Sequence, residues 1–160
     1  MSKRKNLRIL LNILDLLDSD LQLVIIGKID KNIKSEKIYK NQRIHLIQDA
    51  SNEDLSNYYT YAEVLIFPSF YEGFGIPPLE ALKCDCPVIA SNIPVLKELY
   101  EDVIMYFNPY DEKELTEKIK FLINNDKIKQ KMIKDSFKVI NKFSWNDSAG
   151  KINHLIEDLI

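Results

Sequence analysis

Short apolar runs alternate with segments of helical periodicity along almost the whole chain. Five runs have the length and composition of buried strands, at residues 21–27, 43–47, 64–67, 87–90 and 103–107. The alternation predicts right-handed βαβ units, and therefore an α/β fold whose parallel sheet is covered by helices on both faces. Because no repeat or linker divides the 160 residues, we expect one domain spanning residues 1–160.

Helical spacing and capping residues predict the remaining elements. The first helix carries Leu7, Leu10, Leu11, Leu14 and Leu17. Ser51 and Asp54 predict a capping box that opens a helix. Asp111 and Glu114 mark the start of another helix.

Three further expectations concern segments without such strong signals. The polar stretch 28–40 predicts a loop and a weak helix. A later helix places Ile133, Phe137 and Ile140 on one face. The last begins at Ser144, and we expect Trp145 to anchor it in the core.

Composition excludes several classes of protein. The chain has 22 basic and 24 acidic residues, and the only basic cluster is Lys3–Lys5, interpreted by itself as a solvated end. This balance argues against nucleic-acid binding. No apolar run approaches the roughly 20 residues of a membrane span, and no signal peptide is present, so a cytoplasmic protein is expected. The spacing of Cys84 and Cys86 suits neither a disulfide nor a zinc site and predicts buried free thiols.

The run from Phe67 to Glu80 carries the chemistry. It combines the end of a buried strand, a loop with glycines at 73 and 75, and a helix with prolines in its first turn. Ligands of open parallel sheets bind beyond the carboxyl ends of the strands. Glycines allow backbone amides to approach a ligand, and a helix N-terminus favours phosphate. The segment is therefore a candidate phosphate or diphosphate site.

Two glutamates accompany this loop. Glu72 lies in the loop and Glu80 about one turn into the helix, so they would reach hydroxyl groups at different places on one ligand. A phosphate beside a polyhydroxyl sugar is what a nucleotide-sugar presents. The spacing alone is equally compatible with an ordinary glycine turn and a glutamate that complements the helix dipole.

The two glutamates, with seven residues between them and Gly73-Phe-Gly75 after the first, resemble the signature of family 4 (group 1) glycosyltransferases. These are retaining enzymes of the GT-B fold. Further segments resemble the family in the same order: Phe67-Pro-Ser69, Glu80-Ala-Leu82, Cys86–Asn92, Phe107–Asp111 and Phe143-Ser-Trp145. The resemblance covers about residues 5–151. It implies the Rossmann-like C-terminal half of the fold, which binds the nucleotide-sugar donor.

The resemblance also implies roles for individual residues. Glu72 would contact the transferred hexose as the catalytic-site carboxylate, positioning it rather than acting as a nucleophile, and Glu80 would bind the ribose hydroxyls. The amides of Gly73, Phe74, Gly75 and Ile76 would face the sugar and diphosphate. Lys5 would neutralise the diphosphate, so that no metal ion or other cofactor is expected.

The sequence departs from the family at its start. Relatives begin this domain with a strand ending in Gly-Arg, whereas only four residues precede Lys5 here. By fold analogy that strand is central, so we expect a gap in the sheet flanked by unpaired backbone groups. Near the expected nucleoside site, residues 27–30 and Gln48 also differ from the family pattern. The identity of the nucleotide base is therefore left open.

Three functions stay open from the sequence. The first is a glycosyltransferase domain, mannosyltransferase-like and related to polysaccharide synthesis, that needs an acceptor domain or partner chain. The second is a non-catalytic nucleotide-sugar-binding module. The third is a degenerate domain with a structural role, which the retention of Glu72 and Glu80 disfavours.

Overall fold

A computed structural model of the protein describes residues 3–28 and 36–159. Within these ranges the α-helices are Leu7–Ile13 (α1), Glu36–Lys40 (α2), Asn52–Tyr61 (α3), Ile76–Lys83 (α4), Pro94–Tyr100 (α5), Glu112–Ile123 (α6), Asp126–Ile140 (α7) and Trp145–Glu157 (α8). The strands are Leu23–Ile26 (β1), Ile44–Ile47 (β2), Leu65–Phe67 (β3), Val88–Ser91 (β4) and Met105–Phe107 (β5). Short 3-10 turns at Lys3–Lys5 and Leu14–Leu16 flank α1.

The predicted α/β architecture is confirmed, because all five apolar runs contain strands and every strand pair is parallel. Most strands are shorter than the runs that predicted them. In the last run, Val103 and Ile104 are buried but precede β5, and the Val103 amide closes a turn onto the Tyr100 carbonyl. The buried apolar run is therefore longer than the paired strand. Periodicity in the sequence does not show where within the run the pairing begins.

The sheet is interrupted where a gap was expected. β1 pairs with β2, whereas β3, β4 and β5 form a separate sheet in that order, and no strand of the described residues joins β1 to β3. A groove of about 700 Å³ lies between β1 and β3, with α1 and α3 also contributing to its walls. Each of these two strands consequently has one paired edge and one edge that faces the groove.

Helix α1 packs against both sheets. Its residues Ile9 and Ile13 belong to the cluster around β4, β5 and α6, whereas Leu7 and Leu11 belong to the cluster around β1 and β2. Leu10 packs against both clusters. A third cluster lies among β3, β4, α4 and α5. Helix α1 therefore connects the two-stranded and three-stranded parts of the molecule.

The capping predictions are confirmed. Ser51 accepts a hydrogen bond from the Asp54 amide while the Asp54 carboxylate accepts one from the Ser51 amide, so both halves of the capping box are present. Asp111 caps α6 and Ser144 caps α8 in the same way through a side-chain oxygen. Of the predicted segment 28–40, α2 confirms a short helix, and residues 29–35 lie outside the described ranges.

The prediction that Trp145 lies in the core is wrong. The predicted helix over Ile133, Phe137 and Ile140 is present as α7, whose buried residues are Met132, Ser136 and Val139, and Phe137 is exposed. Trp145 is 82% exposed, and α8 buries no residue. Helical periodicity identifies the apolar face of a helix, but it does not establish that another element covers that face. None of the helices within the described ranges has the length and apolar character that crossing a membrane requires.

Candidate functional site

The loop from the carboxyl end of β3 to α4 is shaped by Gly75. This residue has φ +88° and is the N-cap of α4, and an added Cβ would lie 2.6 Å from Cδ2 of Leu96. Leu96 is fully buried, so it has little freedom to move away. The hydroxyl of buried Tyr100 donates a hydrogen bond to the Gly75 carbonyl. Glycine is therefore required for the close approach of this loop to the core.

Four consecutive loop amides are free to donate to a ligand. Among the described residues, the N–H groups of Gly73, Phe74, Gly75 and Ile76 have no hydrogen-bond acceptor. The next two residues of α4, at positions 77 and 78, are prolines without an N–H. The positive end of the helix dipole adds to the field of these donors. The arrangement suits an anion that contacts the loop and the first residue of α4, because the next two positions of the helix offer no N–H.

Lys5 and Glu72 are brought together, as their predicted shared site requires. The Lys5 Nζ donates to Oε1 of Glu72 at 2.6 Å, and the Arg4 Nη1 donates to Oε2 at 2.6 Å. The Glu72 side chain is only 9% exposed, whereas those of Arg4 and Lys5 are 41% and 28% exposed. The cluster carries two positive charges and one negative charge, which leaves a net positive site.

The pKa of Glu72 is held below its ordinary value. Burial alone raises the pKa, but hydrogen bonds from Lys5 and Arg4 and the charge of Lys5 outweigh it. The Ser69 hydroxyl lies near enough to favour the ionised form as well, although its buried Oγ has no described partner in hydrogen-bonding geometry. Glu72 is therefore an ionised carboxylate at neutral pH.

The interpretation of Lys3–Lys5 as a solvated end is wrong for Arg4 and Lys5. Besides its ion pair, Lys5 places its Nζ 5.0 Å from the centroid of the Phe67 ring. Arg4 also bonds to the loop backbone. Pairing across 67 and 68 positions of sequence cannot be inferred from a local charge run, because the fold creates it.

Glu80 contacts a different residue from those of the Lys5–Glu72 cluster. It is exposed on α4, and its Oε2 accepts a hydrogen bond from the Tyr59 hydroxyl of α3 at 3.2 Å. Burial, followed by the charge of Glu80, raises the pKa of Tyr59, so its hydroxyl remains a donor. The two glutamates thus have different neighbours, as expected for separate acceptors. Sequence reasoning missed Tyr59, which no motif marks.

The other two loop residues are accessible. Phe74 contacts the Phe143 ring edge-on, with centroids 5.1 Å apart, and Ile76 is 44% exposed. The groove between β1 and β3 includes none of the predicted site residues. Its walls are largely apolar, so the charged loop is the better candidate for an anionic ligand. In residues 3–28 and 36–159 no cluster of three or more His, Cys, Asp or Glu side chains is arranged to hold a metal ion.

Comparison with known proteins identifies the family. The model described as glycosyl transferases group 1 matches residues 1–139. The chain belongs to this family. This group 1 glycosyltransferase domain is 29% identical over 159 residues to the serotype-specific mannosyltransferase WbdA of Escherichia coli. That alignment covers 91% of the chain and 19% of the relative. The O-antigen chain mannosyltransferase RfbU of Salmonella typhimurium is 34% identical over 107 residues, which are 64% of the chain and 30% of the relative.

A solved structure gives the same fold. Anabaena HepE in complex with UDP-glucose superposes with a TM-score of 0.84 at 17% identity, over 99% of this chain and 46% of HepE. The group 1 domain thus has the Rossmann-like C-terminal architecture of GT-B glycosyltransferases. The chain spans about a fifth to a third of the two mannosyltransferases described above.

Proposed function

We propose that this domain binds a nucleotide-sugar donor and supports retaining transfer of a hexosyl group, mannosyltransferase-like, to a glycan or lipid-linked acceptor. The named relatives are mannosyltransferases, and one acts on O-antigen chains, which supports a role in polysaccharide or lipopolysaccharide synthesis. We also propose that the reaction takes place in the cytoplasm, at the inner face of a membrane that is reached through an acceptor domain or partner chain.

The observation that carries the proposal is the cluster of Lys5 and Glu72 beside the free amides of Gly73–Ile76. Lys5 would bind the diphosphate together with these amides and the positive end of α4. During transfer, negative charge develops on the leaving diphosphate, and a fixed cation stabilises it. The protein thus offers its own charge for the leaving group, and metal-independent transfer is the expectation.

The two carboxylates would recognise hydroxyl groups. Glu72 would accept hydrogen bonds from the hexose, and Glu80 from the ribose. Both oxygens of Glu72 are paired with cations, which lowers its reactivity as a nucleophile. A positioning role is therefore the better assignment. Because the relatives are much longer, the second wall of the active site would come from an acceptor domain or a partner chain.

The test is a set of thermal melts of this chain with UDP, GDP, ADP and dTDP and their common sugar conjugates. A ligand at about 100 times its dissociation constant stabilises by about 2.7 kcal/mol. For a domain of this size that corresponds to about 5–11 °C in Tm. We expect one base to give such a shift.

Variants assign the two glutamates. Glu80→Ala should reduce the shift for both the nucleoside diphosphate and its conjugate, whereas Glu72→Ala should reduce mainly that of the conjugate. Glu98→Ala, which removes an exposed glutamate of α5, is the matched control. A cooperative melt without any shift would contradict donor binding. A shift without transfer, even with an acceptor domain supplied, would favour the non-catalytic binding module.

A further inference from the structure

Arg4 ties three consecutive residues of the loop to the start of the chain. Its carbonyl accepts a hydrogen bond from the Phe70 amide at 2.9 Å. Its Nη1 donates to the Tyr71 carbonyl at 2.7 Å and to Oε2 of Glu72 at 2.6 Å. Arg4 therefore binds both the backbone of residues 70 and 71 and the carboxylate of Glu72, which directly precede the glycines of the loop.

Arg4 and Lys5 each bind a different oxygen of the Glu72 carboxylate. Each oxygen has one cation, so removal of either cation leaves the other in place. The two cations are not equivalent. A lysine ammonium is a compact charge on a flexible stem, whereas the planar arginine guanidinium has its donors in a fixed geometry. Lys5 can turn toward an incoming anion at little cost, but Arg4 would have to break its backbone contact as well.

We propose that Arg4 is a positioning residue of the donor site. It keeps residues 70–72 and the ionised Glu72 side chain in place when Lys5 leaves Glu72 to bind the donor diphosphate. This inference rests on the proposed donor-binding function. It predicts that Arg4 matters for recognition of the sugar, which depends on Glu72, more than for recognition of the diphosphate, which depends on Lys5 and the loop amides.

A direct role for Arg4 as a diphosphate ligand is the main alternative. Its Nη1 already serves two acceptors, both within the protein, and the neutralising charge for Glu72 would be lost if it moved away together with Lys5. Burying an ionised carboxylate without a partner is unfavourable. Retention of Arg4 on Glu72 therefore accounts for all three contacts.

The experiment compares Arg4→Gln, Arg4→Lys and Lys3→Gln. Lys3 is exposed in the same turn, so Lys3→Gln removes an equal charge without touching the loop. Binding of GDP-mannose and of GDP is titrated calorimetrically, with UDP-glucose and UDP as a second pair. Arg4→Gln should weaken binding of the sugar conjugate about tenfold and of the diphosphate less than threefold, in line with loss of a hydrogen bond to a charged group. Arg4→Lys should recover part of the loss, and Lys3→Gln should stay within about twofold.

A double-mutant cycle tests whether Arg4 acts through Glu72. In the Glu72→Gln background, Arg4→Gln should cause little further loss of affinity for the sugar conjugate. Equal losses for diphosphate and conjugate would overturn the proposal, because they would identify Arg4 as a diphosphate ligand. Unchanged binding in Arg4→Gln would overturn it as well.

A second readout does not need a donor. The carboxyl carbon of Glu72 is titrated by NMR in the ligand-free protein, and Arg4→Gln should raise its pKa while Lys3→Gln should not. An unchanged titration would contradict the role of Arg4 at Glu72. If the wild-type protein bound none of UDP, GDP, ADP and dTDP or their sugar conjugates while the titration still shifted, the donor-binding function would fail and Arg4 would remain the residue that holds Glu72.

Discussion

Replacement of Gly75 by alanine should destabilise the protein through two separate effects. The residue has φ +88°, and a non-glycine residue in the left-handed region costs about 1–2 kcal/mol. The new Cβ would also lie 2.6 Å from Cδ2 of Leu96, a fully buried side chain. Forced repacking of this kind costs about 1–3 kcal/mol. The sum is about 2–5 kcal/mol, a large part of the roughly 5–15 kcal/mol that stabilises a typical domain.

The assay is urea unfolding followed by far-UV circular dichroism, with a thermal melt in parallel. A loss of this size lowers Tm by about 4–20 °C for a domain of this length. Gly73→Ala is the matched control in the same loop, because nothing lies within 4 Å of its added Cβ and its φ is not positive. Its effect should stay within about 0.5 kcal/mol. Equal losses for the two variants would refute the reasoning.

The contribution of the contact can be isolated with Leu96→Ala. That substitution alone opens a cavity and costs about 2–5 kcal/mol. If the Cβ at position 75 meets Leu96, the double variant should be more stable than the sum of the single losses by about 1–3 kcal/mol. If the losses of stability in the two single variants add up to that of the double variant within about 0.5 kcal/mol, the contact is disproved. Backbone strain would then account for the whole loss in Gly75→Ala.

Two further predictions concern neighbouring groups. Tyr100→Phe should cost about 1–3 kcal/mol in urea unfolding, because it leaves the Gly75 carbonyl without its buried donor, and a normal stability would contradict this. Glu72 should make stability depend on pH: since its pKa is lower in the folded than in the unfolded state, its contribution is complete above the unfolded value and is lost as the pH falls through the folded one. Glu72→Gln should therefore lose less stability than the wild type between neutral and acidic pH, and parallel pH profiles of the two proteins would refute the assignment.

The local features of the fold could be predicted from the sequence because each depends on nearby residues. The capping box of Ser51 and Asp54 lies within one turn, and the strand runs are continuous. The loop residues of the candidate site are likewise adjacent in sequence. The family model then confirmed the resemblance from which the fold and the donor domain were expected.

What could not be predicted depends on contacts between distant segments. The role of Arg4 requires that the start of the chain reach a loop 67 and 68 positions away. Trp145 is expected to anchor the last helix in the core, yet its side chain is 82% exposed and no described residue of α8 is buried. In both cases the amino-acid pattern specifies what a side chain can do, and tertiary packing decides whether it does so.

The interrupted sheet has a consequence for how the molecule opens. Within residues 3–28 and 36–159 no backbone ladder connects the β1–β2 pair to the other three strands, so the two parts share mainly the side chains around α1. Proteins unfold locally in cooperative units, and a unit with few shared bonds opens at a lower free energy than the whole. Amides of β1 and β2 should therefore exchange with solvent before those of β4, which is paired on both edges. Because the glycine loop follows β3, the candidate donor loop would stay assembled during these partial openings.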